Sequence, residues 1–177
     1  MAKRLFIPII LGTAREGRRS ENVARFVLSE AKKYGFKTEL VDVKDYTTPA
    51  TQTMKKFLKD KLSSMIKRSD GLIIVSPEYN HGYPGELKIF LDNFYEEYFY
   101  KPLGICGVSM GTLGGARMVE QLRLVAVELH LIPIREAVYF SSVKTLFNEK
   151  GGVKDNSYQE RLQTMFKELE VVISKSK

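Results

Sequence analysis

Residues equipped for chemistry fall in three short stretches of this chain. The first is Gly12-Thr13-Ala14-Arg15-Glu16-Gly17-Arg18-Arg19-Ser20-Glu21-Asn22. Hydroxyls at Thr13 and Ser20, the Arg15 guanidinium and the free amides of a helix start together suit a phosphate dianion. Each hydrogen bond to a charged group contributes about 1.5–3 kcal/mol, so a few of them suffice to anchor a ligand. The same residues also suit a plain helix start, capped by Ser20 and flanked by solvated arginines.

The second stretch is Pro77-Glu78-Tyr79-Asn80-His81-Gly82-Tyr83-Pro84-Gly85. Its prolines and glycines favour an extended, rigid backbone whose amides stay free, and such a backbone can read a flat heterocycle. A long turn with exposed tyrosines is the alternative. The third, Ser109-Met110-Gly111-Thr112-Leu113-Gly114-Gly115, carries enough glycine for backbone to approach a ligand closely. It overlaps a rival motif. Gly107-Val108-Ser109-Met110-Gly111 matches the G-x-S-x-G nucleophile elbow of serine hydrolases, which also needs an acid and a histidine downstream. His130 is the only histidine there, and it falls near the end of an expected helix.

Two nucleotide motifs nearly fit the first stretch. Gly12 and Gly17 have P-loop spacing, but Arg18-Arg19-Ser20 replaces the Gly-Lys-Ser/Thr continuation. A Rossmann fingerprint needs glycine at Ala14, although Asp42 stands where its ribose-binding acid would.

The elements that must position these stretches alternate. Residues 5–11, 37–43, 71–76, 103–109 and 132–140 read as strands. Residues 20–34, 53–68, 86–98, 116–129 and 158–174 read as helices. Such alternation implies a parallel sheet with helices on both faces. The expected fold is a flavodoxin-like three-layer α/β/α sandwich, with a five-stranded parallel sheet in the order 2-1-3-4-5. It would span residues 1–177 as a single domain. Ligands of such sheets lie beyond the carboxyl ends of the strands, where the three stretches fall. Pro8 cannot donate to a central ladder, so strand one is expected to pair irregularly there.

Composition narrows the function classes. Lys plus Arg number 28 against 21 Asp plus Glu, a net charge of +7 that favours anionic partners. Much of the excess (Lys55, Lys56, Lys59, Lys61, Lys67, Arg68, Lys175, Lys177) suits solvated faces, and no basic stripe interleaved with aromatics points to nucleic acid. One cysteine, Cys106, excludes an intrachain disulfide and favours a reducing, cytoplasmic setting. With only His81 and His130 beside it, a His/Cys metal site is not expected. The apolar run after Lys3-Arg4 is too short for a membrane span and reads as a buried strand rather than a leader.

The three stretches together resemble the NADPH-dependent FMN reductase family, flavodoxin-like proteins that include quinone and azo-dye reductases. The most specific part is Pro77-Glu78-Tyr79-Asn80 followed by Pro84-Gly85, Leu87-Lys88 and Asp92. Gly111, Gly114-Gly115 and Glu120-Gln121-Leu122-Arg123 add to it. The resemblance implies that Thr13, Arg15, Ser20 and Asn22 surround an FMN phosphate, with Arg18 replacing or assisting Arg15 in a lengthened loop. It implies that residues 1–177 form a single FMN-binding domain, that Pro77, Glu78, Tyr79 and Asn80 line the flavin ring mainly through backbone groups, and that Ser109, Gly111 and Gly114 meet its pyrimidine end with Met110 facing it. NADPH or NADH would supply hydride to the bound flavin, and a small acceptor would take it. No catalytic side chain is then required, although His81 and Tyr83 could donate to an acceptor oxygen, and Arg117 is a candidate for a 2′-phosphate. An electron carrier of the same fold, without its own hydride step, is the alternative; such carriers are usually acidic.

Between Phe90 and Tyr100 lie two aromatic stripes at helical spacing. Phe90, Phe94 and Tyr98 can cover the sheet, whereas Tyr95 and Phe99 would stay partly exposed. That second stripe, and the family's habit of pairing, imply a homodimer or homotetramer through helix three with the flavin site near the interface.

Overall fold

The computed structural model describes residues 4–46, 48–49, 52–148 and 151–176. Lys177 and part of the expected loop 141–157 lie outside the described residues. The elements run β1 (Ile9–Leu11), α1 (Ser20–Tyr34), β2 (Leu40–Asp42), α2 (Lys56–Arg68), β3 (Leu72–Pro77) and α3 (Gly85–Leu91). They continue with β4 (Pro102–Val108), α4 (Ala116–Glu128), β5 (Ile132–Phe140), α5 (Val143–Leu146) and α6 (Ser157–Lys175). The five strands are all parallel, in the order β2-β1-β3-β4-β5. That is the flavodoxin-like arrangement the alternation implied.

Side chains of successive strand residues point to opposite faces, and the central strands are apolar on both. Ile10, Ile74 and Ile105 face α2, α3 and α4, packing on Leu62, Leu87 and Leu122. Ile9, Leu11, Ile73, Val75 and Cys106 face α1 and α6, packing on Val23, Val27, Leu162 and Phe166. Three layers result.

Pro8 does what a missing donor dictates. Ile7 and Ile9 donate to Lys37 and Glu39 on the β2 side, so residue 8 faces β3. Lacking an N–H, Pro8 only accepts there, its carbonyl taking a bond from Ile73 N–H at 3.0 Å. Regular strand therefore begins at Ile9, later than expected.

The expected third helix is shorter than its pattern. α3 ends at Leu91, and only a 3-10 turn over Glu96–Tyr98 follows. Burial nonetheless keeps the first stripe together, since Phe90, Phe94 and Tyr98 are all buried in an edge-to-face ladder. Tyr95 is exposed and meets Phe99 and His130, with Tyr100 beside them. The chain then enters β4 at Pro102 and β5 at Ile132, so this aromatic patch sits at the amino-terminal edge of the sheet. The three candidate loops follow the carboxyl ends. The expected closeness of patch and site is thus corrected by topology.

Candidate active site

The loop after β1 is shaped by Arg18. Its guanidinium bonds the Thr13 carbonyl and the Asp42 carboxylate at the end of β2, with Glu21 at 3.5 Å. The Arg18 side chain is only 6% exposed, so this cation holds the loop to β2 and presents little surface to the cavity it borders. The expectation that Arg18 substitutes for Arg15 is corrected accordingly. Asp42, neutralised there, also accepts from Lys44 N–H and is not a ribose ligand in waiting.

Arg15 remains exposed, its guanidinium 5.5 Å above the centre of the Tyr79 ring. Thr13 is fully buried, its Oγ1 accepting from Arg15 N–H at 3.3 Å and meeting Tyr79 Oη at 3.3 Å. The first and second loops are therefore locked together. Ser20 does not cap α1; Arg19 holds the N-cap position and no side chain caps the helix. Ser20 Oγ is instead buried without a hydrogen-bond partner. Leaving a hydroxyl so costs about 1–3 kcal/mol, and a site that binds an oxyanion repays it. Glu21 next to it titrates below the ordinary carboxylate range, through its bond to Arg25 and, against burial, the charge of Arg18.

Two cavities adjoin at the carboxyl edge. The smaller, about 300 Å³, is lined by Arg15, Gly17, Arg18, Arg19, Ser20, Pro77 and Val143, among others. The larger, about 1010 Å³, is lined by Asn80, His81, Glu86, Gly111, Thr112, Leu113 and Arg117. Arg15, Glu78, Tyr79, Ser109 and Met110 line both and join them. Ten of the thirteen expected residues thus share this space: Arg15, Arg18, Ser20, Pro77, Glu78, Tyr79, Asn80, Ser109, Met110 and Gly111.

Thr13, Asn22 and Gly114 do not reach it. Asn22 is exposed on α1 and lines a separate groove with Phe26 and Gly152. Gly114, at φ +60°, lies so close to β5 that a Cβ would come within 2.6 Å of the Tyr139 backbone. Glycine is required there for packing, not for ligand approach. Gly111 is the opposite case, with nothing within 4 Å of where a Cβ would stand.

The second loop folds tightly. Tyr79 and Gly82 exchange backbone hydrogen bonds of 2.9 and 3.0 Å around Asn80 and His81, both at positive φ (49° and 71°). This is a type I′ turn, in which histidine occupies a position that glycine normally fills. Glu86 and Val143, outside the three stretches, line the cavities, as do Thr112 and Leu113, which lie in the third stretch without an assigned role. Glu86, in the first turn of α3, also accepts from Ala14 N–H at 3.3 Å. Val143 carries no chemical signal and is recognisable only in three dimensions.

The nucleophile-elbow reading fails on geometry. Ser109 Oγ donates to Gly111 O at 2.9 Å, and Ser109 is not among the described residues with positive φ. His130 packs against Phe99, ring centres 4.6 Å apart, at the opposite edge of the sheet. No triad can assemble across that distance. Among the described residues there is also no cluster of metal-ligating side chains.

Residues 7–145 match the family model for NADPH-dependent FMN reductases. The chain is 27% identical over 165 residues to an FMN-dependent NADPH-azoreductase of Staphylococcus aureus, covering 86% of this chain and 87% of that one. Its fold is similar to that of a flavoenzyme NAD(P)H:(acceptor) oxidoreductase from Paracoccus denitrificans, with a TM-score of 0.77, 18% identity, and 94% and 98% of the two chains covered. An NAD(P)H:quinone oxidoreductase from Methanothermobacter marburgensis shares the fold at a TM-score of 0.62, with 14% identity and coverage of 98% and 96%. The match over most of its length places this chain in the NADPH-dependent FMN reductase family, as an FMN-dependent NAD(P)H oxidoreductase.

Proposed function

We propose that this protein is one FMN-binding domain that holds the cofactor non-covalently across the two joined cavities and reduces a small acceptor: a free flavin, a quinone or an azo compound. The observation that carries the reading is Ser20 Oγ, a buried hydroxyl without a partner beside the uncapped start of α1 and the exposed Arg15. A phosphate dianion supplies what all three lack. Thr13 would act from behind, by fixing Arg15 N–H and Tyr79. Arg18 would act by holding the loop in shape.

In the larger cavity the ring would lie between Glu78, Tyr79 and Asn80 on one side and Ser109, Met110 and Gly111 on the other, with Pro77 at its border with the smaller cavity. When bound, FMN supplies the redox chemistry, taking hydride from the nicotinamide and passing it on. The protein's part is to orient and to exclude water. Met110 and Leu113 are exposed on the cavity wall, 58% and 52%, and give a flat aromatic molecule an apolar surface. A volume of about 1010 Å³ stands at the top of the usual range for small-molecule sites, which leaves room for a second planar molecule against the ring.

Tyr95, Phe99 and Tyr100 form an aromatic patch suited to a second copy of the chain, and Leu124 and Val127 on α4 add further exposed apolar side chains. A homodimer made through it would leave each flavin site to its own subunit. Cys106 is buried and unpaired, which suits a reducing compartment such as the cytoplasm. No helix among the described residues is long and apolar enough to cross a membrane.

The visible spectrum of the purified protein tests the central reading. A flavin spectrum is expected, before or after reconstitution, with the chromophore released by denaturation identified as FMN. Absence of FMN binding in equilibrium dialysis would remove it.

A further inference from the structure

Glu78 stands on the rim of both cavities, yet its side chain is only 6% exposed. Its Oε1 accepts from Arg117 Nε at 2.9 Å and lies 2.8 Å from Arg117 Nη2. Its Oε2 accepts from the backbone N–H groups of Arg117 and Met118, at 3.2 and 3.4 Å. Those amides belong to the first turn of α4, whose N-cap is Gly115, at φ +88° and without a side chain to offer. Glu78 thus caps α4 from 39 residues earlier in the chain than Arg117. A carboxylate at that position also meets the positive end of the helix dipole. The Glu78 backbone N–H donates to Val108 O at 2.9 Å, so the same residue is tied to the end of β4.

We propose that Glu78 is a positioning residue whose carboxylate fixes the separation of the two walls of the ring cavity, and holds the Arg117 guanidinium at its rim. One wall is the loop that contains Glu78; the other is the glycine-rich loop that leads into α4. A site whose walls are set before the ligand arrives loses less entropy on binding, so loosening the walls weakens whatever ring lies between them. The ion pair uses the Nε–Nη2 edge of the Arg117 guanidinium. This inference rests on the FMN reading for the identity of the ring, and not for the tether itself.

The test compares FMN with riboflavin on flavin-free protein, by fluorescence quenching, for Glu78→Gln, Glu78→Ala and Arg117→Ala. Glu78→Gln is expected to weaken both flavins by the same factor, about tenfold, because one acceptor oxygen is lost. Glu78→Ala should weaken them further, and the ratio of FMN to riboflavin affinity should stay that of the wild type. Should Glu78→Ala fail to fold, Arg117→Ala, which leaves Glu78 its two amides, should give a smaller loss at the same ratio. Hydrogen exchange at Arg117 and Met118 should be faster in flavin-free Glu78→Gln than in flavin-free wild type. Unchanged flavin affinity with a lowered melting temperature would reduce Glu78 to a structural cap and overturn the proposal. So would a loss confined to FMN, or unchanged exchange at the two amides. Wild-type protein that binds neither flavin would end the FMN reading alone, and the exchange measurement would still decide the tether.

Discussion

The guanidinium of Arg15 and the ring of Tyr79 face each other across 5.5 Å, joining the loop after β1 to the loop after β3. The contact parks a cation at the junction of the two cavities without neutralising it. Arg15→Ala is therefore expected to weaken FMN more than riboflavin, by about ten- to a hundredfold, the range of one charge-assisted bond. Equal weakening of the two flavins in dialysis would take Arg15 out of the phosphate site.

His81 holds φ at +71° in a turn position that favours glycine. The strained conformation costs a non-glycine residue about 1–2 kcal/mol, part of which glycine gives back through its floppier unfolded chain. His81→Gly should therefore raise stability by up to about 1 kcal/mol in urea unfolding. A destabilised variant would mean that the imidazole makes a compensating contact.

Tyr34 on α1 donates its hydroxyl to Glu170 on α6 at 2.8 Å. Burial first, then that bond and the Glu170 charge, push its pKa from 10.0 up to about 12. A raised folded-state pKa means the contribution is fully present below pH 10 and is lost as pH rises through about 12. Urea midpoints should therefore converge for wild type and Tyr34→Phe across that window. Parallel curves would show that the bond does not titrate as the geometry demands.

Cys106 lies fully buried in β4, and burial drives its thiol pKa upward. The native protein should resist thiol reagents, with labelling appearing only in denaturant at the rate of global unfolding. Fast labelling of the folded protein would show that β4 opens locally.

Phe99 packs against Tyr95 and His130 on the exposed patch, at the other end of the sheet from the cavities. Light scattering should find a dimer for the wild type and a monomer for Phe99→Glu, with FMN binding unchanged. A wild-type monomer at every concentration would leave the patch without this partner.

The sequence alone determined the alternation of strands and helices, and with it the sheet order, because a parallel sheet covered on both faces imposes apolar runs and helical periods that are local. It also determined which loops converge, since the topology places every loop after a β-strand's carboxyl end at one edge. The resemblance carried by Pro77-Glu78-Tyr79-Asn80 and the glycines after β4 supplied the family on the same local footing. What each side chain does was decided in three dimensions. Arg15 and Arg18 are equivalent as letters, but Asp42, at the end of β2, captures Arg18 and leaves Arg15 exposed. Gly114 reads as a ligand-facing glycine until β5 is found within 2.6 Å of its missing Cβ. The aromatic run from Phe90 predicts a long helix, yet the backbone leaves the helix at Leu91 while the buried rings keep their ladder. Charge pairing and close packing depend on residues distant in the chain, and a local pattern holds no record of them.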